Sequence, residues 1–209
     1  MLIQGSVGQP SLTSIQPGTT PTIRQGQLGD VIVSELHGRY YETSYRRNGF
    51  NAATQAGVTT SAGLATTTTG LILTNPTTST VNLALNKVGY AFTVLPAAPI
   101  VVGLAYNTST TAVTQTTAIT PRNNFLGAVA PQGLVASSVT LPTAGIVSHI
   151  FGAVNYIATP ANIYATTMTM VDLEGSVIMP PGSYVHVYTS AASGASGFFG
   201  SFQWEEVPV

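Results

Sequence analysis

From residue 69 to residue 206 the chain repeats one pattern: a short apolar or β-branched run, then a cluster of turn formers. The runs are Thr69–Thr74, Val81–Val94, Ile100–Tyr106, Ala112–Thr120, Gly133–Val139, Gly145–Ala153, Tyr164–Val171, Gly175–Met179, Tyr184–Thr189 and Phe199–Glu206. Valine and threonine are abundant in them, and β-branched side chains fit a pleated surface. Asn75-Pro76, Pro96 to Pro99, Asn107 to Thr110, Pro121 to Asn124, Pro142, Thr159-Pro160, Pro180-Pro181-Gly182 and Ser193-Gly194 separate the runs. About ten strands at 8–12-residue spacing, with no convincing helix between them, predict an all-β sandwich or barrel.

Two strands declare their faces. In Tyr184-Val185-His186-Val187-Tyr188 the valines point one way and Tyr184, His186 and Tyr188 the other. That second face is aromatic and polar-tipped, a composition that suits packing on a partner. In the last strand Phe198, Gly200, Phe202 and Trp204 share a face, and Gly200 opens space for a close approach.

The N-terminal quarter differs. Residues 1 to about 30 are rich in Gly, Pro, Ser, Thr and Gln without periodicity, which predicts an extended arm, ordered only where something holds it. Residues 29 to 56 gather Asp30, Glu35, Arg39, Glu42, Arg46 and Arg47 beside Tyr40, Tyr41, Tyr45 and Phe50. Val31, Val33 and Glu35 alternate with Ile32, Ser34 and Leu36, as in a short strand. Gly38 and Gly49 bracket either a helical turn or an irregular loop. The expected division is a docking arm over 1–56 and a sandwich over 57–209.

Charge sharpens this division. Between Asn48 and Val171 only Lys87 and Arg122 are charged, and the whole chain is 6% charged with a net charge of −1. An ordinary soluble surface is about a quarter or more charged. The chain therefore either hides surface against partners or wets it with hydroxyls and amides, and both suit an assembling part better than a free enzyme. The near-neutral balance offers no footprint for nucleic acid or anionic lipid. The most apolar window, Val88 to Tyr106, is interrupted by Thr93, Pro96, Pro99 and Gly103 and falls short of a membrane span of about 20 residues. No cationic stretch precedes an apolar one at the N-terminus, so no secretory signal is expected.

Catalytic constellations are thin. There is no cysteine, which removes thiol chemistry and disulfides. His37, His149 and His186 stand far apart, without the clustering a metal needs. Asp172 and Glu174 alternate and could serve as an oxygen-ligand site or an acid–base pair, but Gly175 follows directly and a turn between two strands is the simpler reading. Neither G-x-S-x-G nor a phosphate-binding glycine loop occurs. Gly194-Ala195-Ser196-Gly197 reads as a loop and Asn107-Thr108-Ser109 as a turn rather than a glycosylated sequon. Arg46-Arg47 with its tyrosines could stack on single-stranded nucleic acid, pack within the chain or anchor a protein contact. The protein contact fits best, because Glu35 and Glu42 offset the arginines. No enzyme activity, cofactor or metal is expected.

The final strand, with Phe199-Gly200-Ser201-Phe202, and the preceding Pro180-Pro181-Gly182-Ser183-Tyr184-Val185-His186-Val187 resemble the closing strands of trimeric tumour-necrosis-factor and C1q jelly rolls. A longer resemblance is to structural proteins of tailed bacteriophages. It is carried by His37-Gly38-Arg39-Tyr40-Tyr41-Glu42, Thr69-Gly70-Leu71-Ile72-Leu73-Thr74-Asn75-Pro76, Ala112-Val113-Thr114-Gln115-Thr116-Thr117, and Asp172-Leu173-Glu174-Gly175-Ser176 through Trp204-Glu205-Glu206. The resemblance implies a jelly-roll-type sandwich in a virion. The specific expectation is a capsid cement or decoration protein that sits as a homotrimer on the major capsid protein and grips it through its arm. Arg39, Tyr40, Tyr41, Tyr45, Arg46, Arg47 and Phe50 are then the expected capsid contacts, and Tyr184, His186, Tyr188, Phe199 and Phe202 the expected trimer interface. Deleting residues 1–56 is expected to leave a folded trimer. The alternative is a fibre or receptor-binding module of the same fold, for which Tyr156, Tyr164 and Asp172 are the candidate ligand-facing residues.

Overall fold

The structure, a computed structural model, describes residues 5–7, 23–25, 38–94, 96, 98–154 and 169–209. The chain divides into two compact units, Met1–Arg39 and Tyr40–Val209. In the first, strands β1 (Gly5–Val7) and β2 (Ile23–Gln25) pair in parallel. The strand expected over Val31 to Leu36, and His37, lie outside the described residues.

The second unit opens with a five-residue helix, α1 (Tyr41–Tyr45), so the helical turn is the outcome between Gly38 and Gly49. The strands that follow are β3 (Gly49–Ala53), β4 (Thr67–Thr74), β5 (Val81–Phe92), β6 (Ile100–Thr108), β7 (Thr114–Ile119), β8 (Arg122–Asn123), β9 (Leu134–Thr140), β10 (Ile146–Val154), β11 (Thr169–Met179), β12 (Ser183–Thr189) and β13 (Phe198–Pro208). They form a six-stranded sheet in the order β10-β6-β12-β4-β9-β7 and a five-stranded sheet in the order β11-β5-β13-β3-β8. Every pairing in both is antiparallel. The domain is an all-β sandwich.

The inward residues follow the period of two. Leu71, Leu73, Val102, Leu104, Val185 and Val187 of the six-stranded sheet share one buried cluster with Leu83, Leu85, Val88, Phe198, Phe202 and Trp204 of the other. Burying each large apolar side chain stabilises by about 1.5–3 kcal/mol relative to exposure. In β5 the inward set is Leu83, Leu85, Val88, Tyr90 and Phe92, two alternating runs offset by one residue. Both can face the core only if one residue is skipped. The partner strands supply that irregularity: Trp204 pairs with Leu85 and Gln203 with Lys87, leaving Asn86 without an opposite. On the other side Asp172 pairs with Lys87 and Val177 with Leu85. Four residues of β11 thus bulge past Asn86, with Glu174 at φ 54° and Gly175 at φ 77°.

Three expectations change here. β3 lies inside the stretch assigned to the arm, yet it pairs along β13 from Ala53↔Ser201 to Gly49↔Glu205. The sandwich therefore begins before residue 57, because Phe50 and Ala52 alternate inward and complete the five-stranded sheet. The runs at Tyr164–Val171 and Gly175–Met179 are, over the described residues, one strand, so Asp172 and Glu174 mark a bulge rather than a turn between strands. Arg122–Asn123, expected as a turn, makes a short strand on β3.

Candidate assembly surfaces

The expected docking cluster separates into residues that build the fold and residues that face outward. Tyr40 belongs to the fold. Its hydroxyl donates to Asp172 Oδ1 at 3.0 Å, Lys87 Nζ lies 5.0 Å from its ring, and Lys87 Nζ stands 3.9 Å from Asp172 Oδ2. The same Asp172 Oδ1 accepts the backbone N–H of Glu174 at 3.1 Å, which closes the bulge. Arg47, at φ 66°, ends the helical turn, and its guanidinium carbon sits 5.1 Å from the Phe125 ring. Its carbonyl accepts from Asn123 Nδ2 at 2.7 Å. Tyr41 and Tyr45, one helical turn apart, stack at 5.8 Å and are exposed, as are Arg39 and Arg46. Phe50 is a correction: it is buried and stacked on Trp204 at 6.1 Å, so it is a core residue and not a contact for another protein.

The expected trimer face is corrected more strongly. Tyr184 is 0% exposed, His186 1% and Phe202 1%. Phe202 points between the sheets. Tyr184 and His186 do point away from the valines, but the chain itself covers them. Leu141 donates its N–H to the Thr66 carbonyl at 2.7 Å and packs with Ile72, Ala136, Val139 and Tyr184. The residues after it run on as a strap. The Thr143 carbonyl accepts from the Tyr184 hydroxyl at 2.6 Å, and the Ala144 carbonyl from Asn107 Nδ2 at 2.8 Å. Burial raises the Tyr184 phenol above its ordinary pKa of 10.0, against the smaller opposing pull of the Thr143 bond. Tyr188 and Phe199 remain half-buried.

At the strap's end His186 Nδ1 lies 3.3 Å from the Val187 carbonyl, and Nε2 has no hydrogen-bond partner. A β-carbon on Gly145 would stand 2.5 Å from Nε2, so only glycine lets the strap pass over the ring. Ile72 and Ala105 are its register partners, and Tyr184 and Tyr188 its titratable neighbours along β12. Burial lowers its pKa below the usual 6.5, and the bond to Val187 opposes this in part. The unfolded chain then takes up a proton near pH 6.5 that the folded chain refuses. Stability is complete above that pH and falls as pH drops toward the folded pKa, by at most about 1.4 kcal/mol per pH unit. Urea midpoints measured between pH 7.5 and 5 should show this loss, and His186→Gln should flatten it. An unchanged slope in that variant would place the acid sensitivity elsewhere.

The sheets differ in charge. No Asp, Glu, Lys or Arg occurs in any strand of the six-stranded sheet. The five-stranded sheet holds Lys87, Arg122, Asp172, Glu174, Glu205 and Glu206. Hydroxyls do some of the stitching that charges do elsewhere: Thr60 and Ser193 exchange bonds between each one's N–H and the other's hydroxyl at 3.0 and 2.9 Å, and Thr189 Oγ1 donates to Thr60 Oγ1 at 2.8 Å.

Two residues that the sequence did not single out hold loops to this frame. Asn75 Nδ2 donates to the carbonyls of Val81 and Met179 at 2.8 and 2.9 Å. The buried Glu206 carboxylate accepts from Gly133 N at 2.8 Å, Gln132 N at 3.1 Å and Trp204 Nε1 at 3.5 Å. Among the described residues there is no group of three or more His, Cys, Asp or Glu that could hold a metal, and no helix long and apolar enough to cross a membrane. Tyr156 and Tyr164 lie outside the described residues, and Asp172 is engaged by Tyr40 and Lys87. No family model, curated protein or solved structure matches the chain.

Proposed function

We propose that the protein is a structural component of a virion, a cement or decoration protein that binds the capsid shell as a homotrimer. The observation that carries this reading is the partition of charge between the two sheets. Identical copies that meet through uncharged sheet surfaces incur no like-charge repulsion, and closed cyclic assemblies are the common outcome for such chains. The arginine- and tyrosine-bearing helical turn is left for a different protein, and Arg and Tyr are favoured anchors at interfaces. The resemblance to tailed-phage structural proteins supplies the virion and the trimer. The strand order supports a jelly roll: β3, β13, β5 and β11 neighbour one another in one sheet, β4, β12, β6 and β10 in the other, as in two linked Greek keys. Because Tyr184, His186 and Phe202 are enclosed, the contact between copies in this reading uses exposed neutral residues, such as Ile146 and Ile150.

The test is cosedimentation with capsids that lack the protein. Reversing Arg46 and Arg47 to glutamate should weaken attachment roughly ten-fold, at up to about 1 kcal/mol for each exposed charge. Sedimentation velocity should still report a trimer, and far-UV circular dichroism an intact fold. A wild-type chain that stays monomeric at micromolar concentration, or that leaves capsids unbound, would remove the reading.

A further inference from the structure

We propose that the side of the sandwich between β3 and β7, whose edges are unpaired there among the described residues, docks an extended polypeptide segment that carries a carboxylate. β8 pairs with β3 only at Phe50 and Asn51, so the outer edge of β3 beyond Asn51 has no strand beside it among the described residues. Facing it, β7 pairs among the described residues with β9 alone. A groove of about 520 Å³ separates the two edges, with Asn51, Gln55, Thr117, Thr120, Ser137 and Arg122 on its walls.

Strand edges present unpaired N–H and C=O groups at the spacing of another strand's backbone. That array recognises a polypeptide main chain, the basis of binding by strand addition. Edges of this kind are commonly blunted by lysine or proline. Thr114–Ile119 contains neither. Thr117, on the groove wall, can bond an incoming segment without imposing a sign of charge. Arg122 supplies the sign. It is the one charged residue on the groove walls, and among the described residues it has no ion-pair or side-chain hydrogen-bond partner. A carboxylate on the docked segment would complement it.

The inference rests on the assembly reading for the identity of the partner, a neighbouring protein of the particle. The groove itself is tested without one. The full-length chain is mixed with a capped hexapeptide, Thr-Val-Asp-Val-Thr-Val, and with its Asn counterpart, and amide hydrogen exchange is followed by mass spectrometry. The Asp peptide should slow exchange over residues 114–120 and 51–53 and nowhere else. It should bind roughly three-fold more tightly than the Asn peptide, the scale of an exposed ion pair. Arg122→Gln should erase that three-fold difference while leaving the Asn peptide's affinity unchanged. Protection along the β10 edge instead, no protection at millimolar peptide, or a groove whose amides are already protected in the free chain would each overturn the proposal. Capsid attachment that persists after such a failure would leave the assembly reading in place.

Discussion

A chain that starts at Gly57 is expected not to fold, whereas one that starts at Tyr40 should fold with the stability of the full protein's second unit. The difference is β3. Its pairing runs along β13 from Ser201 to Glu205, and Thr54 and Val58 continue the contact through the Gly200 and Phe198 carbonyls. Removing β3 deletes Phe50 from the core and uncovers the face of Trp204 on which it stacks. Truncating a buried phenylalanine to alanine alone costs about 3–5 kcal/mol. Losing the whole strand adds the burial of Ala52, the ladder bonds, and the link through Asn124 N to the Gly49 carbonyl. That total meets or exceeds a typical domain stability of about 5–15 kcal/mol. Thermal melts and near-ultraviolet dichroism of Trp204 separate the outcomes. A cooperative transition in the Gly57 chain would show that the sandwich closes without β3.

Much of this architecture was legible in the residue pattern, and the exceptions share a cause. Strands such as β4, β6, β9, β10, β12 and β13 follow from their β-branched or alternating runs and from Asn, Pro and Gly punctuation at their ends. β3 escaped because its inward pair, Phe50 and Ala52, is only two residues long and lies among tyrosines and arginines. Those neighbours read as a surface cluster. The bulge at 173–176 escaped because Asp, Glu and Gly in sequence serve a turn and a bulge equally well; the offset in β5, with Leu85 and Val88 both inward, marks only the extra residue Asn86 on β5 itself and not the loop of β11 that passes it.

The candidate interface was misplaced for a related reason. Alternation correctly put Tyr184 and His186 opposite the valines, but alternation does not say what lies over the far face. The cover comes from residues 141–145, more than forty positions away, and the signal is chemical: Gly145 must be glycine where it crosses the imidazole. The uncharged stretch also takes on a sharper meaning. It is not uniformly a surface. Thr60, Thr189 and Ser193 are buried and bonded to one another, while the exposed threonines of β7 remain available to water or to a partner.

Replacing Glu206 by alanine is expected to destabilise the protein by about 3–5 kcal/mol, an effect as large as losing a core aromatic. Parity foretells the position: Phe198, Gly200, Phe202, Trp204 and Glu206 alternate inward together, so the strand sends a carboxylate where an apolar residue belongs. A carboxylate there is tolerable only when its oxygens are bonded. The loop before β9 does this, delivering the N–H groups of Gln132 and Gly133, and Trp204 turns its indole N–H to the same oxygen as Gly133. The loop can come this close because residue 133 is glycine; a β-carbon would lie 3.0 Å from Leu83 Cδ1 and 3.3 Å from Trp204 Nε1. Alanine at 206 leaves two backbone donors unpaired and a void beside Trp204. An unsatisfied buried donor costs about 1–3 kcal/mol, and each bond to a charged group is worth about 1.5–3 kcal/mol. Glutamine keeps one acceptor oxygen and the volume, so Glu206→Gln should lose about half as much. Urea unfolding gives the two differences, and faster hydrogen exchange at Gly133 in both variants would locate the damage in the loop. An alanine variant within about 1 kcal/mol of the parent would mean that the loop finds other acceptors and that the inward carboxylate is incidental to stability.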